Sequence, residues 1–210
     1  MMTREGWLKE RGKGLGASDA AAILGLSPYK TNVALWEEKT GRRVPEDIGG
    51  KSYVQYGNNA EQHLRALFAL DHPEYELTFE PFKIIRNPSR PFIFATPDGE
   101  LLERDTGRRG GLEIKTTEIM RSGQLAEWKD KIPDGYFAQI CHQMLAAEWE
   151  FVVLKAQIKI QIDGLRLDTR HYYIEREDTQ KDISYLLQKE IAFWDCVEKD
   201  IRPDLLLPAI

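Results

Sequence analysis

Three charged residues in the middle of the chain have types and spacing suited to metal-dependent hydrolysis. Asp98 follows the apolar run 92–95. Glu113 and Lys115 flank Ile114 in a second run that favours a β-strand. Because successive strand side chains point to opposite faces, the carboxylate and the ammonium of this run share one face. Carboxylates suit Mg²⁺ and an ammonium can orient or activate water for attack on a phosphodiester, so the pattern indicates a metal-dependent nuclease.

The same pattern also occurs in ordinary surface hairpins. Since 30% of the chain is charged, an aspartate followed by Glu-x-Lys arises easily by chance. The alternative interpretation is therefore a solvent-exposed hairpin that ends in a Glu113 and Lys115 ion pair. Residues elsewhere in the chain must decide between the two.

The composition is typical of a globular protein and bounds its class. The 210 residues are 42% hydrophobic and 10% aromatic, and we expect one nuclease domain over residues 1–210. The sequence contains no apolar run of membrane-spanning length, and its first residues lack an apolar signal region. We therefore expect a soluble, cytoplasmic protein. Cys141 and Cys196 lie in apolar helical contexts, and we expect both to be reduced packing residues.

The charge distribution limits how the chain can bind a polyanion. The net charge is −5, which argues against a surface coated for non-specific nucleic-acid binding. Residues 1–43 are net basic, however, so any nucleic-acid contact is expected to be local and to involve this segment.

Hydrophobic periodicity places the charged residues on an α/β framework. A helix over 53–70 carries Glu61, and a helix over 136–147 carries Gln139. The strand patterns cover 77–85, 92–98, 99–103, 111–116, 151–162 and 166–174, with a turn at 107–110.

Both ends of the chain contribute further elements. Ser18 is predicted to cap a short helix over 20–24, and Asp178 a final amphipathic helix. The apolar tail 205–208 follows that helix. It either packs back on the core or contacts another subunit.

Several short motifs extend the pattern beyond the acidic strand. In chain order they are Gly14–Asp19, Leu24–Lys30, Tyr56–Glu61, Thr96–Gly99, Leu112–Lys115 and Tyr136–Met144. Together they resemble the YqaJ viral recombinase family. The resemblance covers about Arg11 to Ile174 and implies a restriction-endonuclease-like α/β (α+β) fold, with a central mixed sheet flanked by helices. It also implies an exonuclease that degrades one strand of linear duplex DNA from its 5′ end, leaving a 3′ single strand for recombination.

The resemblance assigns roles to the acidic strand. Asp98 and Glu113 correspond to metal ligands, together with the main-chain carbonyl of Ile114. Lys115 corresponds to the residue that orients or activates the attacking water. The implied cofactor is Mg²⁺, with two ions bound, and Mn²⁺ is an alternative. Two such ions would neutralise charge on both the attacked phosphate and the leaving oxygen.

Two predicted helices supply the corresponding partners. Glu61 and Gln139 match the helix-borne acid and glutamine that hold metal-bound water and the nucleophile. Tyr136, Gln139 and Gln143 fall at i, i+3 and i+7, so one helix face aims all three at the site. By residue type alone, Glu61 and Gln139 would equally suit solvent-exposed helix positions.

A second group of residues is implied to bind the 5′ end of the DNA. Arg11, Ser18 and Thr96 match positions that surround the terminal phosphate, and a guanidinium can bind phosphate oxygens bidentately. Thr96 replaces a serine but keeps the hydroxyl. Lys30, directly after Ser27-Pro28-Tyr29, is a candidate DNA-backbone contact, and a solvated lysine is the alternative.

The resemblance also implies partners. These are double-stranded DNA with a 5′-phosphate end, two further copies of the chain in a ring-shaped homotrimer, and a phage single-strand annealing protein in a bacterial host. Two alternative functions remain open at this point. One is an endonuclease on the same fold, and the other is a non-catalytic DNA-binding adaptor for an annealing protein.

Overall fold

The computed structural model describes residues 2–129 and 131–207. In this part of the chain, the helices are α1 (Arg4–Arg11), α2 (Ala20–Ile23), α3 (Asn32–Lys39), α4 (Ser52–Asp71), α5 (Ser122–Ala126), α6 (Asp134–Ala147) and α7 (Gln180–Glu198). The strands are β1 (Leu15–Gly16), β2 (Tyr75–Thr78), β3 (Ile85–Arg86), β4 (Ile93–Ala95), β5 (Gly99–Glu103), β6 (Arg109–Ile119), β7 (Phe151–Ile160) and β8 (Arg166–Glu175). None of these helices is long and apolar enough to cross a membrane.

A five-stranded mixed sheet forms the centre of the fold. Its strand order is β2-β5-β6-β7-β8, and β6 and β7 pair in parallel while the other neighbours are antiparallel. A smaller sheet has the order β1-β4-β3. The chain passes from the small sheet to the large one between β4 and β5, and Asp98 lies in that connection. The predicted mixed sheet flanked by helices is confirmed.

Helices cover both faces of the large sheet. On one face, Leu64 and Phe68 of α4 pack against Leu112 and Ile114 of β6. On the other face, α6 and α7 pack against apolar residues of β7. The central strand β7 is buried along most of its length, as expected for a strand covered on both sides.

The strand predicted over 77–85 is wrong in its extent. The structure divides it into β2 and β3, which belong to different sheets. Phe82, after Pro81, has a positive φ of 63°, a conformation incompatible with a continuing strand. Proline also lacks the backbone N–H that a β-strand uses for pairing, so Pro81 and Phe82 together explain why the strand is interrupted.

Two predicted helix caps are also wrong. Ser18 lies inside a 3-10 turn over Ala17–Asp19, and the position that begins this turn is Gly16. The Asp19 carboxylate accepts the Gly16 N–H at 3.1 Å. At the start of α7 the N-cap residue is Thr179 rather than Asp178.

The predicted turn at 107–110 is shorter than expected. Gly107 has a φ of 73°, but β6 already begins at Arg109. Gly110 instead serves close packing, because a Cβ there would lie 2.5 Å from the Phe151 ring. The glycine thus lets β6 approach the base of β7.

The cysteines and the C-terminal tail behave as packing elements. Cys141 and Cys196 are both free, as expected, and burial raises the pKa of the Cys141 thiol to about 12. The tail folds back, since the Asn32 side chain accepts the Leu206 N–H at 3.0 Å and donates to the Asp204 carbonyl at 2.7 Å. Pro208 lies outside the described residues.

Candidate functional site

A polar cleft of about 300 Å³ opens beside the N-terminal half of α4, the middle of β6 and the inner face of α6. The predicted functional residues that line it are Arg11, Ser18, Glu61, Thr96, Asp98, Glu113, Ile114, Lys115 and Gln139. The catalytic and phosphate-binding groups inferred from separate parts of the sequence therefore share one cleft. We call Glu61, Asp98, Glu113 and Lys115 the acidic centre, and Arg11, Ser18 and Thr96 the Arg11 cluster.

Asp98 is fixed by the strand that carries its partners. β5 begins at Gly99, which pairs with Leu112 of β6. The Asp98 Oδ2 atom accepts the Ile114 N–H at 2.8 Å. This bond joins the turn to the middle of β6 and holds the Asp98 carboxylate beside Glu113.

Glu113 is the most tightly held carboxylate of the acidic centre. It is 3% exposed, and its Oε1 atom accepts a hydrogen bond from Gln139 Nε2 at 2.6 Å. Gln143 donates to Oε2, and the Lys115 ammonium forms an ion pair with Oε1. The Lys115 Nζ atom also lies 5.4 Å from the centre of the Tyr136 ring. The predicted face of α6 does point all three of its residues at the acidic centre.

The acidic centre carries an excess of negative charge. Burial raises the pKa of Asp98 well above its usual range, and the nearby carboxylates of Glu113 and Glu61 raise it further. Burial disfavours the charged form of Lys115, but Glu113 and Asp98 outweigh this effect and raise its pKa. Lys115 is therefore protonated at neutral pH, which suits it to orienting a water molecule.

The acidic centre offers oxygen donors of the type that Mg²⁺ takes. Three carboxylates converge, with Lys115 paired to Glu113 and Arg65 of α4 paired to Glu61, and a divalent cation would offset the repulsion that remains. Within residues 2–129 and 131–207, no group of three or more His, Cys, Asp or Glu side chains could hold a metal ion by itself. The ligand set implied by the family resemblance, Asp98, Glu113 and the Ile114 carbonyl, includes only two such side chains and stays a prediction. Such a set leaves positions for water, as Mg²⁺ prefers.

Glu61 reaches the acidic centre from α4 with a partner that the sequence analysis missed. Arg65, one helical turn later, forms an ion pair with Glu61 and donates from Nε to the Asp98 carbonyl at 2.5 Å. Burial raises the pKa of Glu61, the Arg65 guanidinium opposes the rise, and the Glu113 carboxylate adds to it. The i, i+4 spacing of Glu61 and Arg65 was the available signal.

The Arg11 cluster lines the same cleft. The Arg11 guanidinium donates to the Thr96 hydroxyl at 3.3 Å and to the Ser18 hydroxyl at 3.2 Å. Its other contact is the Trp7 ring, 4.5 Å from the guanidinium carbon. Residues that lie 85 positions apart thus meet around one guanidinium, as the resemblance predicted.

An ion pair stabilises the segment that carries Ser18 of this cluster. The Lys39 ammonium lies 2.8 Å from the Asp19 carboxylate and also donates to the Gly14 carbonyl at 2.7 Å. Both side chains are mostly buried, at 10% and 13% exposure. They join α3 to the segment that carries Ser18.

Lys30 is not brought into the cleft. Its ammonium lies 2.5 Å from the Glu38 carboxylate, and it is absent from the cleft lining. The structure therefore gives Lys30 a carboxylate partner on α3.

A buried polar pair underlies both parts of the cleft. His142 of α6 lies with its Nδ1 atom 2.5 Å from Glu190 of α7, and its Nε2 atom 2.8 Å from the Phe94 carbonyl. Both side chains are fully buried, and Glu190 Oε2 has no hydrogen-bond partner among residues 2–129 and 131–207. Burial disfavours charge on His142, but Glu190 and the Phe94 carbonyl outweigh it and raise the pKa. This pair links the helix behind Glu113 to the strand that leads to Thr96.

Comparison with known proteins now identifies the family. The model of the YqaJ-like viral recombinase domain matches residues 6–150, a range that contains every side chain of the cleft described above. The chain belongs to the YqaJ-like viral recombinase family. The predicted family membership is confirmed.

Relatives and solved structures support this placement. The YqaJ protein of Bacillus subtilis (strain 168) is 33% identical over 197 residues, which cover 92% of this chain and 56% of that protein. The chain thus spans about half the length of this relative. An alkaline exonuclease from Laribacter hongkongensis is 22% identical, with a TM-score of 0.71 and 93% of both chains covered. Its complex with dAMP gives a TM-score of 0.69 at 21% identity, with 94% of both chains covered. These structures show the restriction-endonuclease-like fold that the motifs predicted.

Proposed function

We propose that the protein is a Mg²⁺-dependent 5′→3′ exonuclease that acts on linear double-stranded DNA. It releases mononucleotides and leaves 3′ single strands for recombination by strand annealing. Membership of a viral recombinase family supports a nuclease role in recombination. The observation that carries the proposal is the shared cleft, which is lined by both the acidic centre and the Arg11 cluster.

The residues of the acidic centre have different chemical roles. Asp98, Glu113 and the Ile114 carbonyl would hold Mg²⁺, with Mn²⁺ as an alternative. When bound, two such ions supply positive charge at the attacked phosphate and the leaving oxygen. Lys115 orients the attacking water through its ammonium. Glu61 and Gln139 place their polar side chains around that water. Gln139 is already close to the metal ligands, because it donates a hydrogen bond to Glu113.

The Arg11 cluster selects the end that enters the cleft. A guanidinium with two neighbouring hydroxyl groups matches the oxygens of a terminal phosphate. Arg11 would donate to the phosphate oxygens, and Ser18 and Thr96 would add weaker hydrogen bonds. A 5′-phosphorylated terminus therefore binds better than a 5′-hydroxyl terminus. Lys30 contributes a DNA-backbone contact only if it leaves Glu38.

The assembly and partners follow from the same proposal. A ring-shaped homotrimer would enclose duplex DNA, so that a chain with a net charge of −5 needs few phosphate contacts per subunit. The 3′ single strand would pass to a phage annealing protein. The proposed setting is the cytoplasm of a bacterial host, with the gene carried by a phage or prophage.

Product analysis on a linear duplex labelled at one 5′ end tests the proposal. With Mg²⁺, labelled mononucleotide should appear first, and EDTA should abolish its release. A covalently closed circular duplex of the same sequence is the control and should remain intact. Cleavage of the circle would instead identify an endonuclease. Metal binding without any nucleotide release would identify a non-catalytic adaptor.

A further inference from the structure

Arg65 links the Glu61 carboxylate on α4 to the main chain of the turn that carries Asp98. Its Nη2 atom pairs with the Glu61 carboxylate on α4, and its Nε atom donates to the Asp98 main-chain carbonyl at 2.5 Å. The Arg65 side chain is only 11% exposed. It does not line the cleft, so it acts behind the carboxylates rather than on a substrate.

A third contact fixes the plane of the guanidinium. The Arg65 Cζ atom lies 3.4 Å from the centre of the Phe79 ring, in the segment between β2 and β3. One face of the guanidinium therefore stacks on an aromatic ring while its edge makes the two polar contacts. A lysine cannot reproduce this arrangement, because its ammonium is a point charge without a planar fork.

These contacts determine the spacing between α4 and the Asp98 turn. Asp98 and Glu61 repel each other and both repel Glu113, so without a cationic link the Glu61 carboxylate would be driven away from the acidic centre. The Arg65 fork counteracts that repulsion at Glu61 and holds the Asp98 main chain.

We propose that Arg65 is a positioning residue that joins Glu61 to the Asp98 turn and so pre-assembles the carboxylates for divalent cation binding. The effect on DNA cleavage rests on the proposed function, but the effect on metal binding does not. Loss of an outer partner of a metal ligand typically weakens metal affinity roughly 10- to 100-fold. We expect a loss in that range when Arg65 is replaced.

Calorimetric titration of the protein with Mg²⁺ in the absence of DNA tests this directly. Arg65→Gln should bind Mg²⁺ roughly 10- to 100-fold more weakly than the wild type. Arg65→Lys should also bind weakly, because one ammonium cannot meet both partners. Arg104→Gln is the matched control, since Arg104 also donates to a main-chain carbonyl, that of Pro73 at 3.1 Å, on an exposed surface. It should bind Mg²⁺ like the wild type.

A kinetic measurement separates positioning from general damage to the fold. In the Arg65 variants, the Mg²⁺ concentration for half-maximal nucleotide release should rise, while the KM for DNA stays near the wild-type value. Saturating Mg²⁺ should restore most of kcat. A merely structural defect would lower activity without rescue by the metal.

A second variant keeps the proposal testable if Arg65→Gln does not fold. Phe79→Leu removes the stacked ring but leaves both polar contacts, and a cation–π contact contributes about 0.5–1 kcal/mol at exposed sites. Its Mg²⁺ affinity should fall roughly two- to fivefold. If the Arg65 variants fold and bind Mg²⁺ within twofold of the wild-type affinity, the proposal is overturned. If Arg65→Gln does not fold, unchanged Mg²⁺ affinity in Phe79→Leu overturns it instead. A wild type that binds no Mg²⁺ would also overturn it, whereas a wild type that binds Mg²⁺ but releases no nucleotide would overturn only the proposed function.

Discussion

The acidic centre and the Arg11 cluster line one cleft but are held very differently. In the acidic centre, Asp98 and Glu113 are fixed by short bonds of 2.8 Å and 2.6 Å to a strand N–H and a buried helix face. In the Arg11 cluster, Arg11 meets two hydroxyl groups at 3.2 Å and 3.3 Å, and Ser18 is exposed. Under the proposed function, the first group would be pre-organised for chemistry. The second has longer internal hydrogen bonds, which a terminal phosphate would replace.

The largest expected effect falls on the acidic centre. Lys115→Ala should lower nucleotide release roughly 100- to 10,000-fold, because positioned proton-transfer and water-orienting groups contribute that much. The initial rate on a linear duplex measures this, and the midpoint of thermal unfolding checks the fold. Lys199→Ala is the control, since the Lys199 ammonium pairs with Asp195 at 2.8 Å on the surface of α7. Full activity in Lys115→Ala would show that Lys115 has no catalytic role.

A change at the buried pair of His142 and Glu190 should weaken both regions together. Removing the Glu190 carboxylate leaves His142 buried without its charge partner, and such losses cost about 3–5 kcal/mol. Glu190→Ala should therefore lower the free energy of unfolding by that amount in chemical denaturation. Activity on 5′-phosphate and 5′-hydroxyl ends should fall together. Loss of only one activity would show that the buried pair supports a single region.

The same pair predicts the pH dependence of stability. The pKa of His142 is raised above its unfolded value of about 6.5, so the charged pair stabilises the folded state fully below that pH. This stabilisation is lost as the pH rises through the folded pKa. The difference in unfolding free energy between the wild type and Glu190→Gln should shrink as the pH rises. A difference that grows with pH would contradict a charged His142.

Arg11→Ala should affect the choice of DNA end more than the chemistry. Hydrogen bonds to charged groups contribute about 1.5–3 kcal/mol, so the preference for 5′-phosphate ends should fall roughly 10- to 150-fold. The rate ratio on the two end types measures it. Arg42→Ala is a close control, because the Arg42 guanidinium also lies 4.5 Å from a tryptophan ring, that of Trp36. An unchanged ratio in Arg11→Ala would place the phosphate pocket elsewhere.

The smallest effect is expected at Thr96. Thr96→Val removes the hydroxyl at nearly constant volume, and one neutral hydrogen bond contributes about 0.5–1.5 kcal/mol. The phosphate preference should therefore fall roughly two- to tenfold. Thr96→Ser keeps the hydroxyl and should behave like the wild type. A larger loss in the serine variant than in the valine variant would show that the methyl group, not the hydroxyl, matters.

The contrast between the two regions also explains what the sequence could predict. The alternation of Glu113, Ile114 and Lys115 is a local strand pattern, so their shared face follows from period two alone. The spacing of Gln139 and Gln143 likewise follows from the helical repeat. The meeting of Arg11 with Thr96 depends on packing between distant segments, and only the family resemblance predicted it.

Other features depended on tertiary contacts that no local pattern reveals. Arg65 has an ordinary helical spacing from Glu61, but its bond to the Asp98 carbonyl comes from the approach of a turn 33 residues away. Glu190 lies on the apolar face of α7, where a carboxylate is unexpected without the buried His142 opposite it. Lys30 is a further case, because no local pattern revealed its salt bridge to Glu38 on α3, and its DNA contact stays a prediction.

The initial rate of mononucleotide release from two linear duplexes, one with a 5′ phosphate and one with a 5′ hydroxyl, tests the central claim most directly. The wild type, Lys115→Ala and Arg11→Ala are compared at the same Mg²⁺ concentration. The wild type should favour the phosphate end, Lys115→Ala should release almost nothing from either end, and Arg11→Ala should release nucleotides from both ends at similar rates. Release by Lys115→Ala at the wild-type rate, or an undiminished phosphate preference in Arg11→Ala, would contradict a cleft that combines chemistry with end selection.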